Sequence, residues 1–208
     1  MPRRVVCVSG PDGTGMRQVA AVVAQKLGFA LVDEEIVVMA AERAGIEPSL
    51  MADVERRRSF IERTVGGMPT GLDMSSIVAT ADPHAMAGAT TSELRDLIRQ
   101  AIEETAAHGD VVIVAHAASH ALASEPGVLR VLITGSPEVR VGRFAAERGL
   151  SEKEASSVLS KSDAGRAGYL KRFYGERLEL PTQFDLVVNT DRLTPEAAAS
   201  LVLLASEG

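Results

Sequence analysis

The sequence contains no tryptophan, and aromatic residues make up only 3% of its 208 positions. That scarcity argues against a row of stacking platforms for single-stranded nucleic acid, where base–aromatic contacts carry much of the affinity. Cys7 is the one cysteine, which excludes an internal disulfide. Set inside an apolar run, it reads as a small buried hydrophobe in a reducing compartment. No hydrophobic run reaches the length of a membrane span, and the apolar stretch after Arg3 and Arg4 is too short for a secretory signal. Net positive charge is also lacking: the formal charge is −6, so a broadly basic nucleic-acid-binding surface is not indicated. A local cluster of Arg and Lys can still grip a small phosphorylated ligand. These exclusions lead us to expect a cytoplasmic protein whose partner is a small nucleotide or other phosphorylated molecule, without nucleic acid or membrane, with homo-oligomerisation left open.

What is present is enough apolar residue, 46%, against 24% charged, to bury one compact α/β core. Residues 4–9, apolar from Val5 to Val8, read as a buried strand. A glycine-rich turn follows, and Gln18 to Leu27 then repeats apolar residues at helical spacing until Gly28. Phe29 to Val32 reads as a second strand ending in Asp33, and Glu35 to Ala44 as a helix closed by Gly45. Between Ile46 and Ala89 the periodicity is lost. Thr90 with Glu93 predicts a capping box for a helix over 94–107, stopped by Gly109. Val111 to Val114, Val128 to Thr134 and Phe184 to Asn189 read as strands of a central sheet; the first two are continuous runs, as in strands covered on both faces. Ser136-Pro137 and Thr194-Pro195 each pair an N-cap residue with proline at the first helical position, opening helices over 138–148 and through Leu204. Ser151 with Glu154 is a second capping box.

The turn Gly10-Pro11-Asp12-Gly13-Thr14-Gly15 has the G-x-x-x-x-G spacing of a phosphate-binding loop, in the strand-to-helix context that the mechanism needs. Glycines let backbone N–H groups converge on phosphate oxygens, and the helix N-terminus adds unpaired donors and partial positive charge. The pattern then calls for Lys and a hydroxyl residue, where this chain has Met16, Arg17 and Gln18. Arg17 can restore the positive charge with a bidentate fork. A plain connecting turn, and a dinucleotide loop beginning Gly13-Thr14-Gly15 with Asp33 as ribose partner, are the other readings; Gln18 at the third glycine position counts against the latter.

Gly13-Thr14-Gly15-Met16-Arg17-Gln18-Val19-Ala20, Gln25-Lys26-Leu27-Gly28, Asp33, Val131 to Gly149, Lys161-Ser162-Asp163 with Arg166, and Asn189-Thr190-Asp191-Arg192-Leu193 together resemble the cytidylate kinase-like family of P-loop kinases. The resemblance runs along nearly the whole chain and is weakest over 46–89. It implies a three-layer α/β fold of P-loop NTPase type with a parallel central sheet, as a single domain. The core would comprise 1–45, 90–150 and 177–208, with an acceptor-side helical insert at 46–89 and a basic lid at 151–176. It further implies ATP with Mg²⁺ as cofactors and phosphoryl transfer to a nucleoside monophosphate or similar acceptor. Transfer spreads negative charge over the phosphoryl oxygens, which converging cations stabilise.

On this reading Gly10, Asp12, Gly13, Thr14, Gly15, Met16, Arg17 and Gln18 form the ATP site, and Arg17, Arg143, Lys161 and Arg166 are the catalytic cations. Asp33, His116, Asp163 and Arg166 position the acceptor; Asp163 and Arg166 match the family's Asp-x-x-Arg. Arg140 reads equally as a phosphate-reaching arginine or as an exposed helix residue. Ala115-His116 stands where cytidylate kinases carry Gly-Arg, and Thr134 where they carry Asp, so the acceptor is left open. His116 and His120 share helical spacing, but the sequence places no third ligand, and no metal site is assigned. The competing functions are a catalytically silent nucleotide sensor and a Rossmann oxidoreductase using a nicotinamide cofactor.

Overall fold

A computed structural model of the protein describes residues 4–33, 91–114, 118–176 and 178–208. Numbering the described elements in chain order gives β1 (Val5–Ser9), α1 (Met16–Leu27), β2 (Ala30–Val32), α2 (Thr91–His108), β3 (Val111–Ile113), α3 (Ala118–Ala121), β4 (Val128–Thr134), α4 (Pro137–Arg148), α5 (Glu152–Tyr174), β5 (Leu186–Asn189) and α6 (Pro195–Ser206). The expected helix at Glu35 to Ala44, the insert at 46–89, Thr90 of the first capping box, and His116 lie outside the described residues.

The five strands form one sheet in the order β2-β3-β1-β4-β5, with all neighbouring pairs parallel. Alternation along the strands divides the core into two layers. Val5, Cys7, Val111, Ile113 and Val128 face Ile98, Ala101 and Ile102 of α2 and Ala118 of α3. On the opposite face, Val6, Val8, Val112, Leu129, Val131, Ile133 and Val188 pack against Val19, Ala20 and Val23 of α1 and Ala198, Ala199 and Val202 of α6. A sheet buried on both faces explains why β1 reads as an apolar run from Val5 to Val8, and why β4 is apolar except at Arg130 and Thr134, rather than alternating. Each valine or isoleucine so enclosed contributes about 1.5–3 kcal/mol relative to its exposed state. None of the described helices is long and apolar enough to cross a membrane.

Several boundaries follow their local signals closely. Ser136 accepts the Val139 N–H, Thr194 accepts the Ala197 N–H, and both halves of the Ser151/Glu154 capping box form. Gly28, Gly109, Gly149 and Gly175 all take left-handed backbone at the ends of α1, α2, α4 and α5. Other boundaries differ by one to three residues, among them α2, which starts at Thr91 instead of 94. β5 starts at Leu186 instead of Phe184 because Pro181–Gln183 forms a 3₁₀ turn closed by the Phe184 N–H on the Pro181 carbonyl. α1 starts at Met16, directly off the left-handed Gly15, instead of at Gln18. The segment expected as a basic lid contains a single 23-residue helix, α5, whose Ala155, Val158 and Leu159 pack on Phe144 and Ala145 of α4.

Parallel strands deliver their carboxyl ends to one edge of the molecule. Ser9, Val32, Thr134 and Asn189 therefore open onto the same rim, where ligands bind in open α/β sheets.

Candidate functional site

β1, the central strand, passes at Gly10 into the glycine loop, and the packing there explains the residue types. A Cβ on Gly10 would lie 2.3 Å from the Ile133 carbonyl oxygen, so the loop can leave the sheet at this point only without a side chain. Gly13, at φ 78°, has backbone of α4 pressed against it: a Cβ there would lie 2.7 Å from the Arg140 carbonyl oxygen. The buried Thr14 donates its hydroxyl to the Pro11 carbonyl at 2.7 Å, closing the turn from inside. No side chain caps the N-terminus of α1 and no acidic residue stands in its first turn. Such an end presents free N–H groups and the positive pole of the helix to an anion.

Two arginines of α4 hold the loop's carbonyls. Arg140 donates from Nε to the Asp12 carbonyl at 2.8 Å and grips both oxygens of Asp163 on α5, at 3.0 and 2.7 Å. Ser162, one residue earlier on α5, donates its hydroxyl to the Asp12 carboxylate. Arg143 reaches the Gly13 carbonyl at 3.2 Å and the Thr190 carbonyl at 3.0 Å. The Thr190 hydroxyl, buried just past β5, lies 2.8 Å from the Thr14 carbonyl and 3.1 Å from that of Thr134, and shares its donor between them. Asp191 accepts the Ser136 N–H at 2.7 Å and so ties the β5 end to the start of α4. The loop is thus held through its carbonyls from α4 and the β5 end, and through the Asp12 carboxylate from α5. Preorganisation of this kind is what makes backbone amides effective toward phosphate.

Arg166 reaches the carboxyl end of β1, just before the loop, instead of the loop itself. Its Nη2 donates to Ser9 Oγ at 2.7 Å, and its Nε and Nη2 both engage the carboxylate of Glu179. Ser9 in turn donates to Glu179 Oε1 at 2.7 Å. On the β2 side, Arg17 forms an ion pair with Asp33. Gln18 bonds Glu147 of α4 at 3.0 Å, Met16 packs against the core layer under α1, and Lys161 is exposed on α5.

The structure thus brings Arg143 and Asp163, predicted on separate grounds, to one side of the glycine loop, with Arg166 beneath it. Arg17 and Asp33, assigned to donor and acceptor respectively, meet each other instead. Asp163 and Arg166 lie one turn apart on α5 yet take different partners. Arg140, open between two readings, is 8% exposed, and its guanidinium serves the loop. Sequence reasoning did not single out Ser9, Ser162, Glu179 or Thr190. Ser162 and Thr190 lie in the quoted stretches Lys161 to Asp163 and Asn189 to Leu193, so a signal existed for both. Nothing local marks Glu179, which stands in an irregular connection 13 residues beyond its arginine.

His120 on α3 is flanked by Tyr174, with ring centroids 5.2 Å apart, and by Phe184 at 6.3 Å. Burial holds its imidazole below the ordinary histidine range, and its Nε2 has no hydrogen-bond partner among the described residues. Those residues contain no group of three or more His, Cys, Asp and Glu arranged for a metal ion. At the loop position where a hydroxyl ordinarily meets Mg²⁺, Arg17 offers no ligand oxygen, and Thr14 Oγ1 is turned to a carbonyl.

Comparison with known proteins bears on the same residues. The model of the cytidylate kinase-like family matches residues 5–192. A cytidylate kinase of Ignicoccus hospitalis is 30% identical, over 95% of this chain and 96% of its own length. A cytidylate kinase of Streptomyces avermitilis is 26% identical, over 79% of this chain and 78% of its own. Among solved structures, an uncharacterized protein from Eubacterium ventriosum superposes with a TM-score of 0.65 at 14% identity, covering 98% of each chain. A gluconokinase from Sinorhizobium meliloti gives 0.53 at 18% identity, covering 98% of this chain and 92% of that one. A shikimate kinase from Bacteroides thetaiotaomicron gives 0.52 at 15%, covering 98% of each. At these identities the structural matches establish the α/β fold alone.

Proposed function

The chain belongs to the cytidylate kinase-like family, and from that premise we propose that it transfers a phosphoryl group from ATP to a nucleoside monophosphate or similar small acceptor. The observation that carries this reading is the glycine loop itself: a left-handed, carbonyl-pinned turn opening onto an uncapped helix N-terminus. That arrangement suits phosphates by backbone alone. In it the amides at the start of α1 receive the donor phosphates. Arg143 lies against the loop from α4, where its charge can oppose the charge that develops on the transferred group. Arg166 and Lys161 of α5 supply cations toward the acceptor, while Arg17 and Asp33 form the wall on the β2 side. ATP supplies the phosphoryl group. The loop does not fit the usual protein ligation of Mg²⁺, because Arg17 replaces the hydroxyl, and no step is assigned to the ion. The single thiol, Cys7, is buried and suits a reducing cytoplasmic setting.

Calorimetry with a non-hydrolysable ATP analogue and a panel of nucleoside monophosphates, followed by a transfer assay on every pair that binds, tests the proposal. The expected result is at least one acceptor turned over, with loss on Arg143→Ala in a folded protein. Absence of ATP binding would refute it. One observation favours a second reading, a nucleotide-binding sensor: Arg17, Arg140 and Arg166 each engage a carboxylate of the chain, and Met16 stands at the lysine position. That reading predicts nucleotide binding with no turnover across the panel.

A further inference from the structure

The pair Arg166–Glu179 differs from the other ion pairs of the site in where it lies and what carries it. Both side chains are nearly enclosed, at 10% and 8% exposure, and the hydroxyl that bridges them belongs to Ser9, the residue immediately before Gly10. The guanidinium engages the carboxylate through two nitrogens, the fork geometry that also recognises phosphate. Arg166 projects from the regular helix α5, held along its length by apolar packing. Glu179 comes from an irregular connection, and its chain neighbours Leu178 and Leu180 are exposed, at 68% and 47%. One partner is anchored; the other is borne by a segment with little apolar burial of its own, the kind of element that opens at low free-energy cost.

An arginine enclosed beside a phosphate loop needs an anion, since an isolated buried charge is strongly unfavourable. We infer that Glu179 is a displaceable counter-anion: its carboxylate fills the fork of Arg166 while the site is empty, and the phosphate of the acceptor takes its place. This rests on the reading of the chain as a phosphotransferase. Residue 179 then determines acceptor selectivity. A dianionic phosphate offers more charge and more acceptor oxygens than a carboxylate and displaces it. A neutral acceptor leaves the Arg166–Glu179 pair closed. Ser9 can serve both states, because its hydroxyl accepts from Arg166 and can donate to either anion. The alternative is that the pair is a permanent structural bridge.

The two accounts predict opposite outcomes on removing the carboxylate. Inorganic phosphate is the probe, and the Arg166 side-chain Nε–H, followed by nitrogen-15 NMR, is the site-specific readout, because phosphate also has the glycine loop to bind. In the unaltered protein, saturating phosphate is expected to shift the Arg166 signal. In Glu179→Gln the same shift is expected at a phosphate concentration at least tenfold lower, and calorimetry is expected to show one phosphate-binding event fewer in Arg166→Gln/Glu179→Gln. An unmoved Arg166 signal in the unaltered protein, while backbone amides of the loop respond, overturns the inference. So does equal or weaker phosphate binding at Arg166 in a folded Glu179→Gln. Should that variant fail to fold, the unaltered protein decides alone. None of these measurements requires turnover. A chain that transfers phosphate with Arg166 unmoved keeps the proposed function and loses this inference, and displacement without turnover has the reverse meaning.

Discussion

Gly13→Ala and Gly28→Ala separate two costs that a glycine can carry. Both positions hold left-handed backbone, with φ of 78° and 69°, so a methyl group at either is expected to cost about 1–2 kcal/mol in backbone strain. At Gly28, the cap of α1, an added Cβ meets nothing within 4 Å, and strain is the whole effect. At Gly13 the same Cβ would lie 2.7 Å from the Arg140 carbonyl oxygen and 3.2 Å from its Cα, contacts with backbone that cannot be relieved by a rotamer change. Either the loop or the first turns of α4 must move. Since the Arg140 side chain holds the Asp12 carbonyl and Asp163 together, the movement reaches the phosphate-facing amides. Gly28→Ala is therefore expected to lower the thermal midpoint by roughly 2–8 °C, at about 2–4 °C per kcal/mol for a chain of this size. Its affinity for an ATP analogue should be unchanged. Gly13→Ala should fall further in midpoint and bind the analogue at least tenfold more weakly, equivalent to about 1.4 kcal/mol. Thermal melts followed by circular dichroism and titration calorimetry read the two quantities. Equal midpoints and equal affinities in the two variants would refute the claim that α4 clamps the loop.

Two further outcomes follow from buried titratable groups. Burial pushes the Cys7 thiol up to about 12, so at pH 8 the native protein should resist a disulfide reagent that titrates the same thiol fully in denaturant; rapid native reaction would show that the α2 face of the sheet is open. Desolvation lowers the His120 pKa from its ordinary value of 6.5, opposing the attraction of Glu179 and Glu176. Above 6.5 the imidazole is neutral whether folded or unfolded, and its contribution is complete. Below that value the unfolded chain takes up a proton that the folded protein resists, so stability falls as pH drops toward the lowered folded value. Urea unfolding between pH 7.5 and 5.5 should show a smaller loss in His120→Phe, which keeps the aromatic packing, than in the unaltered protein. Equal losses would count against the burial argument.

The parts of the fold that were legible in the sequence are those set by neighbours a few residues apart. β1 and β4 declared themselves as apolar runs, and the caps at Ser136, Ser151 and Thr194 were readable because a cap acts over three residues. The glycine loop was legible for the same reason. Its fixation was not: Arg140 meets Asp12 from 128 positions away, and Arg143 meets Gly13 from 130. No periodicity distinguishes such an arginine from one on a solvated helix face.

The long-range pairs also change the meaning of the charges that sequence did reveal. Counted as residues, Arg17, Arg140 and Arg166 suggest a strongly electropositive phosphate site. In the folded chain Asp33, Asp163 and Glu179 stand against them. The surplus of cation over carboxylate is smaller than the arginines alone imply, and it lies toward Arg143, whose partners among the described residues, Gly13 and Thr190, are uncharged. A phosphate entering this site meets two kinds of arginine. Arg143 is paired with neutral oxygens, which leave its charge available at once. Arg166 already holds a carboxylate of the chain, and binding there is an exchange of anions whose net gain is set by the difference between phosphate and Glu179. Occupancy of the glycine loop should therefore precede occupancy at Arg166 as phosphate is raised, and the order in which loop amides and the Arg166 Nε–H respond in one titration measures that difference directly.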